Sequence, residues 1–374
     1  MSGKRPALCI VNPYEHGGGA EYQISLLIDL LAAADEYDIH YLTHFIDTRE
    51  VTRRYTLNRV GGGGAIPRLG YIMDGRSLYR SLRDIGPRII YQRVACAYTG
   101  ICALYARRHA RPMIWHVAHD TDVTREILDP ARNIVRVRLE KWLVEYGARH
   151  ATRIVVQTGR QAQLLHDNYS RRPDAIVGNF HPPSTEVIDK SGPLTVAWIA
   201  NLKAWKRPEV FVRLAQALSM YSGVRFVMVG APAAVAGELP WQDLLIRSIE
   251  ATPNLQFMGR QSHEEVNALL ARAHIFVNTS THEGFPNTFI QAWLREAVVV
   301  SLQVDPDDVL QRGRVGIAAQ SEPDLLQAVR RLLENAPLRN DYARRGREHA
   351  AAHHSLRNAQ ELIGLMEAWR RTLD

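Results

Sequence analysis

Short apolar runs alternate with helix-length stretches along the chain. The alternation stops once, at a proline-containing break, and then begins again. A strand, a helix and a second strand of the same direction build a parallel sheet whose faces the helices must cover. Ala7–Asn12, Ile39–Ile46, Ile89–Tyr91, Met113–Val117 and Arg153–Gln157 read as strands. Tyr22–Ala34, Ser77–Asp84, Tyr98–Arg108 and Arg136–Arg149 read as the helices between them. After the break, Leu194–Ile199, Arg225–Val229, Gln256–Met258, Ile275–Asn278 and Val298–Leu302 are expected strands. Pro208–Tyr221, Ser262–Ala271, Thr288–Arg295, Leu325–Glu334, Asn340–His349 and Leu356–Arg371 are expected helices. The expected fold class is therefore α/β, with two Rossmann-like parallel-sheet domains at 1–181 and 193–355. A linker at 182–192, marked by Pro182, Pro183 and Gly192, joins them, and 356–374 is a closing helix. A length of 374 residues is too great for one ordinary core and suits two.

No apolar run approaches the roughly 18 residues that a membrane span needs. The N-terminal stretch enters a strand directly, without a signal-peptide pattern. Three cysteines, Cys9, Cys96 and Cys102, read as reduced, mostly buried thiols of a cytoplasmic protein. The formal net charge is +7 and is unevenly placed. Residues 1–185 hold 25 Lys+Arg against 18 Asp+Glu, and the remainder holds 21 of each. The first half is thus expected either to meet something anionic or to carry an Arg-rich solvated surface. An anionic membrane surface, a polyprenyl-phosphate carrier and an acidic glycan all fit. Nucleic acid is not expected, because no recognition motif accompanies the charge.

Three strand-to-helix junctions concentrate the chemistry. Asn12–Glu21 contains Gly17, Gly18 and Gly19, which let backbone approach a phosphate or a sugar at a helix N-terminus. The run Gly61–Gly64 is a surface loop without a phosphate pattern. Trp198–Glu209 ends a strand, crosses a basic loop and starts a helix at Pro208, so that Lys206 and Arg207 suit a diphosphate. Thr281–Trp293 follows a buried strand. Its free backbone N–H groups near Pro286, Asn287 and Thr288 suit a phosphate, Glu283 can accept from sugar hydroxyls, and Gln291 can bond a ribose.

The stretch Glu283-Gly284-Phe285-Pro286-Asn287-Thr288 resembles the signature of family 4 retaining glycosyltransferases of the GT-B fold. That family brackets the donor with two glutamates separated by seven residues. Here Glu283 stands first and Gln291 second. Asn201…Lys206 is similar to the family's Arg…Lys phosphate clamp, with Asn201 in place of the arginine, so the clamp rests on Lys206 with Lys203 or Arg207 beside it. Gly17–Gly19 resembles the family's donor loop in the first domain, and Asn254–Gly259, with Phe257 and Gly259, the segment whose backbone reads the base. The resemblance implies a deep cleft between the domains, a donor-binding second domain, an acceptor-side first domain and a final helix that crosses back. It also implies no cofactor and no metal, with a UDP- or GDP-sugar as the donor substrate.

Ile114–Asp122 ends a strand of the first domain, where α/β sheets place ligands. The resemblance puts a histidine beside the reacting sugar in this region; His119 is the first choice and His116 the second. Arg93 either faces the acceptor or forms a surface ion pair, and Tyr98 follows it on the acceptor side. Asp120 and Asp122 mimic the acidic metal motif of a different glycosyltransferase fold. The expected activity is hexosyl transfer from a nucleoside diphosphate sugar to a glycan or lipid-linked acceptor in polysaccharide biosynthesis. The expected place is the cytoplasm, extending to the inner face of the membrane. The alternatives are a GT-B sugar-nucleotide epimerase and a non-catalytic subunit of a glycan-assembly complex.

Overall fold

The computed structural model describes residues 5–46, 52–61, 70–124, 134–232 and 239–373. The chain forms two compact units, Met1–Phe180 with Arg357–Asp374, and His181–Leu356. Gly62–Gly64 of the glycine run lie outside the described residues.

The first unit runs β1 (Ala7–Val11), α1 (Gly19–Ala34), β2 (Asp38–Thr43), β3 (Thr56–Arg59), α2 (Gly75–Ile85), β4 (Ile89–Arg93) and α3 (Ala97–Arg108). It continues with β5 (Met113–His116), α4 (Ile134–His150), β6 (Arg153–Val156), α5 (Gly159–Tyr169) and β7 (Ala175–Ile176). Its sheet has the order β3-β2-β1-β4-β5-β6-β7, and every pairing is parallel. Leu8 to Val11 of β1 are wholly buried, as befits a central strand covered on both faces. Helices α3 and α4 touch backbone to backbone. A side chain at Gly100 would strike the Leu143 carbonyl, and one at Gly147 would come within 2.7 Å of Thr99.

The second unit runs β8 (Leu194–Ile199), α6 (Pro208–Ala217), β9 (Val224–Val229), α7 (Leu239–Glu250), β10 (Leu255–Phe257), α8 (His263–Arg272) and β11 (Ile275–Asn278). Then come α9 (Asn287–Leu294), β12 (Val298–Leu302), α10 (Val309–Arg312), β13 (Gly316–Ala319), α11 (Glu322–Glu334) and α12 (Ala336–His353). The order β10-β9-β8-β11-β12-β13 is again all parallel. It repeats the doubly wound arrangement in which strand order reverses beside the first strand. The stretch from His181 onward lies in this unit. Glu186 accepts two bonds from Arg295 Nη2 at 2.7 and 2.8 Å, and Lys190 Nζ donates to the Leu270 carbonyl at 3.0 Å. The last helix, α13 (Leu356–Leu373), returns to the first unit, where Asn358 Nδ2 donates to the Gly178 carbonyl at 3.1 Å.

The expected α/β class with two parallel-sheet domains is what the chain adopts. Helix α5 was not expected. Its only buried side chains are Gln161, Leu165 and Tyr169, too few to give an apolar period, and its start is set by Thr158 capping the Gln161 N–H. The helix from Pro208 ends at Ala217, short of the expected Tyr221.

Candidate active site

The loops after β8 and β11 leave neighbouring strands at the point where strand order reverses in the second unit. Loops that diverge there leave a crevice at the carboxyl end of the sheet. The side chains bind the two loops together. Trp198, buried in β8, donates from Nε1 to Thr279 Oγ1 at 2.9 Å, and Thr279 Oγ1 donates to the Lys206 carbonyl at 2.6 Å. Thr281 N donates to the Trp205 carbonyl at 3.0 Å. The Trp205 and His282 rings stack with centroids 4.9 Å apart.

Lys206 and Glu283 meet inside this stitched pair of loops. Lys206 Nζ donates to Glu283 Oε1, which also accepts from Ser280 Oγ at 2.7 Å. The ammonium lies 4.1 Å from the centre of the Trp205 ring, a cation–π contact. Burial pushes the Lys206 pKa down, and Glu283 opposes that shift. The pair is therefore a cation in a poorly hydrated position, kept charged by one carboxylate. Gly284 and Pro286 are buried between Glu283 and the start of α9. Helix α9 begins at Asn287 after Pro286 with no side-chain cap, so its first-turn N–H groups point into the loop region. His181 Nε2 lies 3.2 Å from Asn287 Oδ1 and steadies that side chain.

The other expected residues of this unit divide into those beside the crevice and those held elsewhere. Asn201 is half-buried on the β8 loop, and its carbonyl accepts from Lys203 N at 2.9 Å. Arg207 is turned away by its left-handed backbone, φ 48°, and pairs with Glu322 at 2.7 Å, which makes it a brace between α6 and α11 rather than a second clamp. Phe285 packs its ring 4.4 Å from His354, and Thr288 is half-buried in the first turn of α9. Gln291 is almost wholly buried, and its amide donates to Asn267 Oδ1 at 3.0 Å. The Phe257 side chain packs against the core, so Phe257 itself can offer a ligand only its backbone. Gly259 has φ +66°, and its carbonyl accepts from Gly230 N at 2.9 Å. Gly230 itself was not expected. It lies against the Ala200 carbonyl so closely that no side chain fits, which draws the β9 loop onto the β8 loop.

In the first unit the corresponding reversal lies at β1. Gly17 has φ +122°, and Gly18 is the uncapped N-terminal residue of α1. Gly19 opens the helix. Two buried carboxylates flank these glycines. Glu21 accepts from Asn12 Nδ2 at 2.8 Å, and Glu15 accepts from Arg53 Nε at 2.6 Å and from Tyr55 at 2.7 Å. A cavity of ≈ 200 Å³ opens beside them, lined by Glu15, His16, Glu21, Asp29, Tyr41 and Tyr55 among others. Glu21, inside the first turn of α1, already answers the positive end of that helix.

His116 and His119 end up in different surroundings. His116 is buried at the end of β5, with Nδ1 2.8 Å from the Tyr91 hydroxyl, and burial followed by Arg93 drives its pKa far down. His119 is half-buried, and its Nδ1 accepts from Thr121 N at 3.2 Å, which puts the proton of the neutral ring on Nε2. Asp122 accepts from Ala118 N at 2.8 Å and His119 N at 3.1 Å and so sets the backbone of that turn; burial pushes its pKa up to about 6. Asp120 pairs with Arg160 at 3.2 Å. Among the described residues no three His, Cys, Asp or Glu side chains are placed to hold a metal ion.

Arg93 is not in a surface ion pair. It is buried at the end of β4 and donates to Asn179 Oδ1 at 2.8 Å and to the Tyr91 hydroxyl at 3.3 Å. Tyr98 is also wholly buried, with its hydroxyl on Asp74, so it presents nothing to an acceptor. Two features of this edge were not expected. Val94 follows Arg93 at φ 68°, a costly conformation for a β-branched residue, held by Gln92 Nε2 on its carbonyl. Tyr14 and Phe45, which follow β1 and β2, are exposed and stack with centroids 4.7 Å apart.

Residues 193–335 match the family described as glycosyl transferases group 1. No curated protein matches the chain. Among solved structures, sucrose-phosphate synthase from Thermosynechococcus elongatus superposes with a TM-score of 0.78 at 15% identity, covering 99% of this chain and 100% of that one. HepE from Anabaena, in complex with UDP and glucose, gives 0.77 at 16% identity, with 97% and 100% covered. WaaG, a glycosyltransferase involved in lipopolysaccharide biosynthesis, gives 0.77 at 13% identity, with 96% and 99% covered. The chain is therefore a two-domain α/β protein of the GT-B fold, whose second unit matches the glycosyl transferases group 1 family across both loops that hold Lys206 and Glu283.

Proposed function

We propose that this protein is a family 4 retaining glycosyltransferase that moves a hexosyl group from a nucleoside diphosphate sugar to a glycan or lipid-linked acceptor. The observation that carries the reading is the Lys206–Glu283 pair, buried where strand order reverses and leading into the uncapped N-terminus of α9. A diphosphate brings two anionic phosphoryl groups. Lys206 and the N–H groups of Asn287 and Thr288 receive them, and Glu283, released from the lysine, turns to the sugar hydroxyls. Gln291 serves the ribose, and the backbone from Phe257 to Gly259 serves the base. Asn201 borders the phosphates.

In the transfer, the bond between the anomeric carbon and the β-phosphate oxygen breaks through an oxocarbenium-like state. The acceptor hydroxyl oxygen bonds to that carbon from the same face, and its proton passes to the departing phosphate. The chain's contribution is electrostatic: Lys206 and the α9 N–H groups stabilise the charge that develops on the leaving diphosphate. No step calls on a metal. In the first unit, Gly18, Gly19 and the carboxylates around them favour hydroxyl groups over phosphate, which suits a sugar. His119 Nε2 serves as a donor beside that sugar, with Arg93 and His116 as its buried support. The Tyr14–Phe45 pair offers an aromatic face to an acceptor. The membrane-side expectation belongs to this reading, with the protein at the cytoplasmic face in glycan assembly.

HepE was also solved with UDP-glucose, which places UDP-sugars first in a test panel. A thermal-shift panel of UDP- and GDP-sugars is expected to give selective stabilisation, about 2.7 kcal/mol at a hundredfold excess over Kd. Nucleoside diphosphate release should then require an acceptor. Release without acceptor, or stabilisation without any release, would replace transfer by isomerisation or by simple binding.

A further inference from the structure

The outward side of the α3–α4 pair carries a surface that glycosyl transfer does not use. Trp142 is 58% exposed and Leu139 41%, both on α4. Trp142, Tyr146 and His150 follow one another at successive turns of α4, with ring centroids 5.9 and 4.4 Å apart. Cations surround this row. Arg138 and Arg149 are exposed on α4, and Arg107 is exposed at the end of α3. Arg171 reaches in from beyond α5 and donates to the Arg149 carbonyl at 2.8 Å. Burial first, and then Arg107, Arg149 and Arg171, hold the His150 pKa below its ordinary value, so three guanidinium groups share the neighbourhood of that ring. Glu145 lies 3.6 Å from Arg149.

We propose that this face docks the first unit on an anionic phospholipid bilayer. An exposed tryptophan backed by a half-buried tyrosine suits the depth at which lipid headgroups meet the acyl chains, and the guanidinium groups around them suit the phosphates. The charge complementarity is specific to this half of the chain, since all of its net positive charge lies in residues 1–185. The close α3–α4 contact at Gly100 and Gly147 makes the face rigid, so docking orders little that is not already ordered. Among the described residues no helix is long and apolar enough to cross a membrane, so the face lies on the bilayer rather than in it. The inference rests on the membrane-side placement within the proposed function and is independent of the transfer chemistry.

The test uses the full chain and phosphatidylcholine vesicles with or without phosphatidylglycerol. Sedimentation with the anionic vesicles alone is expected, weakening as salt is raised. Arg107→Gln with Arg149→Gln should lower the partition coefficient about thirtyfold, and Trp142→Ala about tenfold. Far-ultraviolet circular dichroism and an unchanged Tm verify that the variants fold. Equal binding to both vesicle types, binding to neither, or variants that bind like the wild type would overturn the proposal. So would capture of soluble polyphosphate with no vesicle binding. Stabilisation by UDP-sugars should persist in the double variant; its absence from the wild type as well would count against glycosyl transfer and leave the docking face standing.

Discussion

Lys206→Met removes a charge and keeps most of the volume, and it should separate what the Lys206–Glu283 pair does for the fold from what it does for the reaction. The two side chains are only 16% and 10% exposed. Deleting the lysine charge leaves the Glu283 carboxylate, which also accepts from the Ser280 hydroxyl, without its cation in a poorly hydrated position. Truncating one half of a buried pair costs about 3–5 kcal/mol, and the residual exposure here argues for about 3. For a domain of this size that lowers Tm by about 6–12 °C. Adding Glu283→Gln removes the stranded charge, so the double variant should regain most of the lost stability. Activity should behave differently. Loss of a cation that acts on the leaving diphosphate lowers kcat by about two to three orders of magnitude, and the double variant should stay inactive. Calorimetry gives the first quantity and nucleoside diphosphate release the second. Near-normal turnover in Lys206→Met would refute the assignment. Recovery of activity together with stability in the double variant would show that the pair is structural only.

Two further outcomes follow from buried polar groups near the loops. The Asp122 pKa of about 6 lies above the unfolded value, so the folded state holds its proton more tightly. That contribution is fully present below about pH 4 and is lost as pH rises towards 6, at most about 3 kcal/mol. Urea unfolding across this range should show a steeper fall for the wild type than for Asp122→Asn; parallel profiles would remove burial as the cause. Gln291→Glu exchanges the donor that Asn267 accepts for a carboxylate, but Asn267 can turn its own amide to it, so donor KM should move by no more than about tenfold with kcat nearly unchanged. Gln291→Leu should raise KM further, because a ribose hydroxyl and Asn267 both lose a partner. Equal donor affinity in all three proteins would take residue 291 out of the site.

The loops after β8 and β11 were legible because each combines a buried strand, a glycine or proline interruption and a helix start within a dozen or so residues. That is enough to fix the backbone at Lys206 and Glu283 and to place both where α/β sheets hold ligands. Their pairing was not legible, because a contact 77 positions apart depends on which strands become neighbours. The same limit explains Arg207. Beside Lys206 it reads as a second clamp, but its acid partner, Glu322, lies 115 positions away. The exposed Tyr98 and the surface ion pair expected of Arg93 were misread for a different reason. Both side chains have polar ends that a surface would accept, and only the packing of α3 against α4 and of β4 against β5 shows that they are enclosed. Val94 and the Tyr14–Phe45 stack left no local mark in the sequence, since neither a strained valine nor two aromatic residues 31 positions apart form a pattern.

The two units use one strand order to opposite electrostatic ends. At the reversal in the second unit stand a buried ammonium and an uncapped helix N-terminus, both of which favour an anion. At the reversal in the first unit, the helix N-terminus is answered by Glu21 from within, and Glu15 is held beside it by Arg53 and Tyr55. A phosphate brought to the glycines of α1 would meet a carboxylate already in place, whereas a hydroxyl would meet an acceptor. A nucleoside diphosphate sugar carries its charge in the diphosphate at its middle, with neutral hydroxyl groups on the ribose and the sugar to either side. The reversal in the second unit therefore suits an anion, and that in the first suits a neutral hydroxyl group. The glycine loop of the first unit, Asn12–Glu21, correspondingly carries no lysine of the kind that a phosphate loop needs.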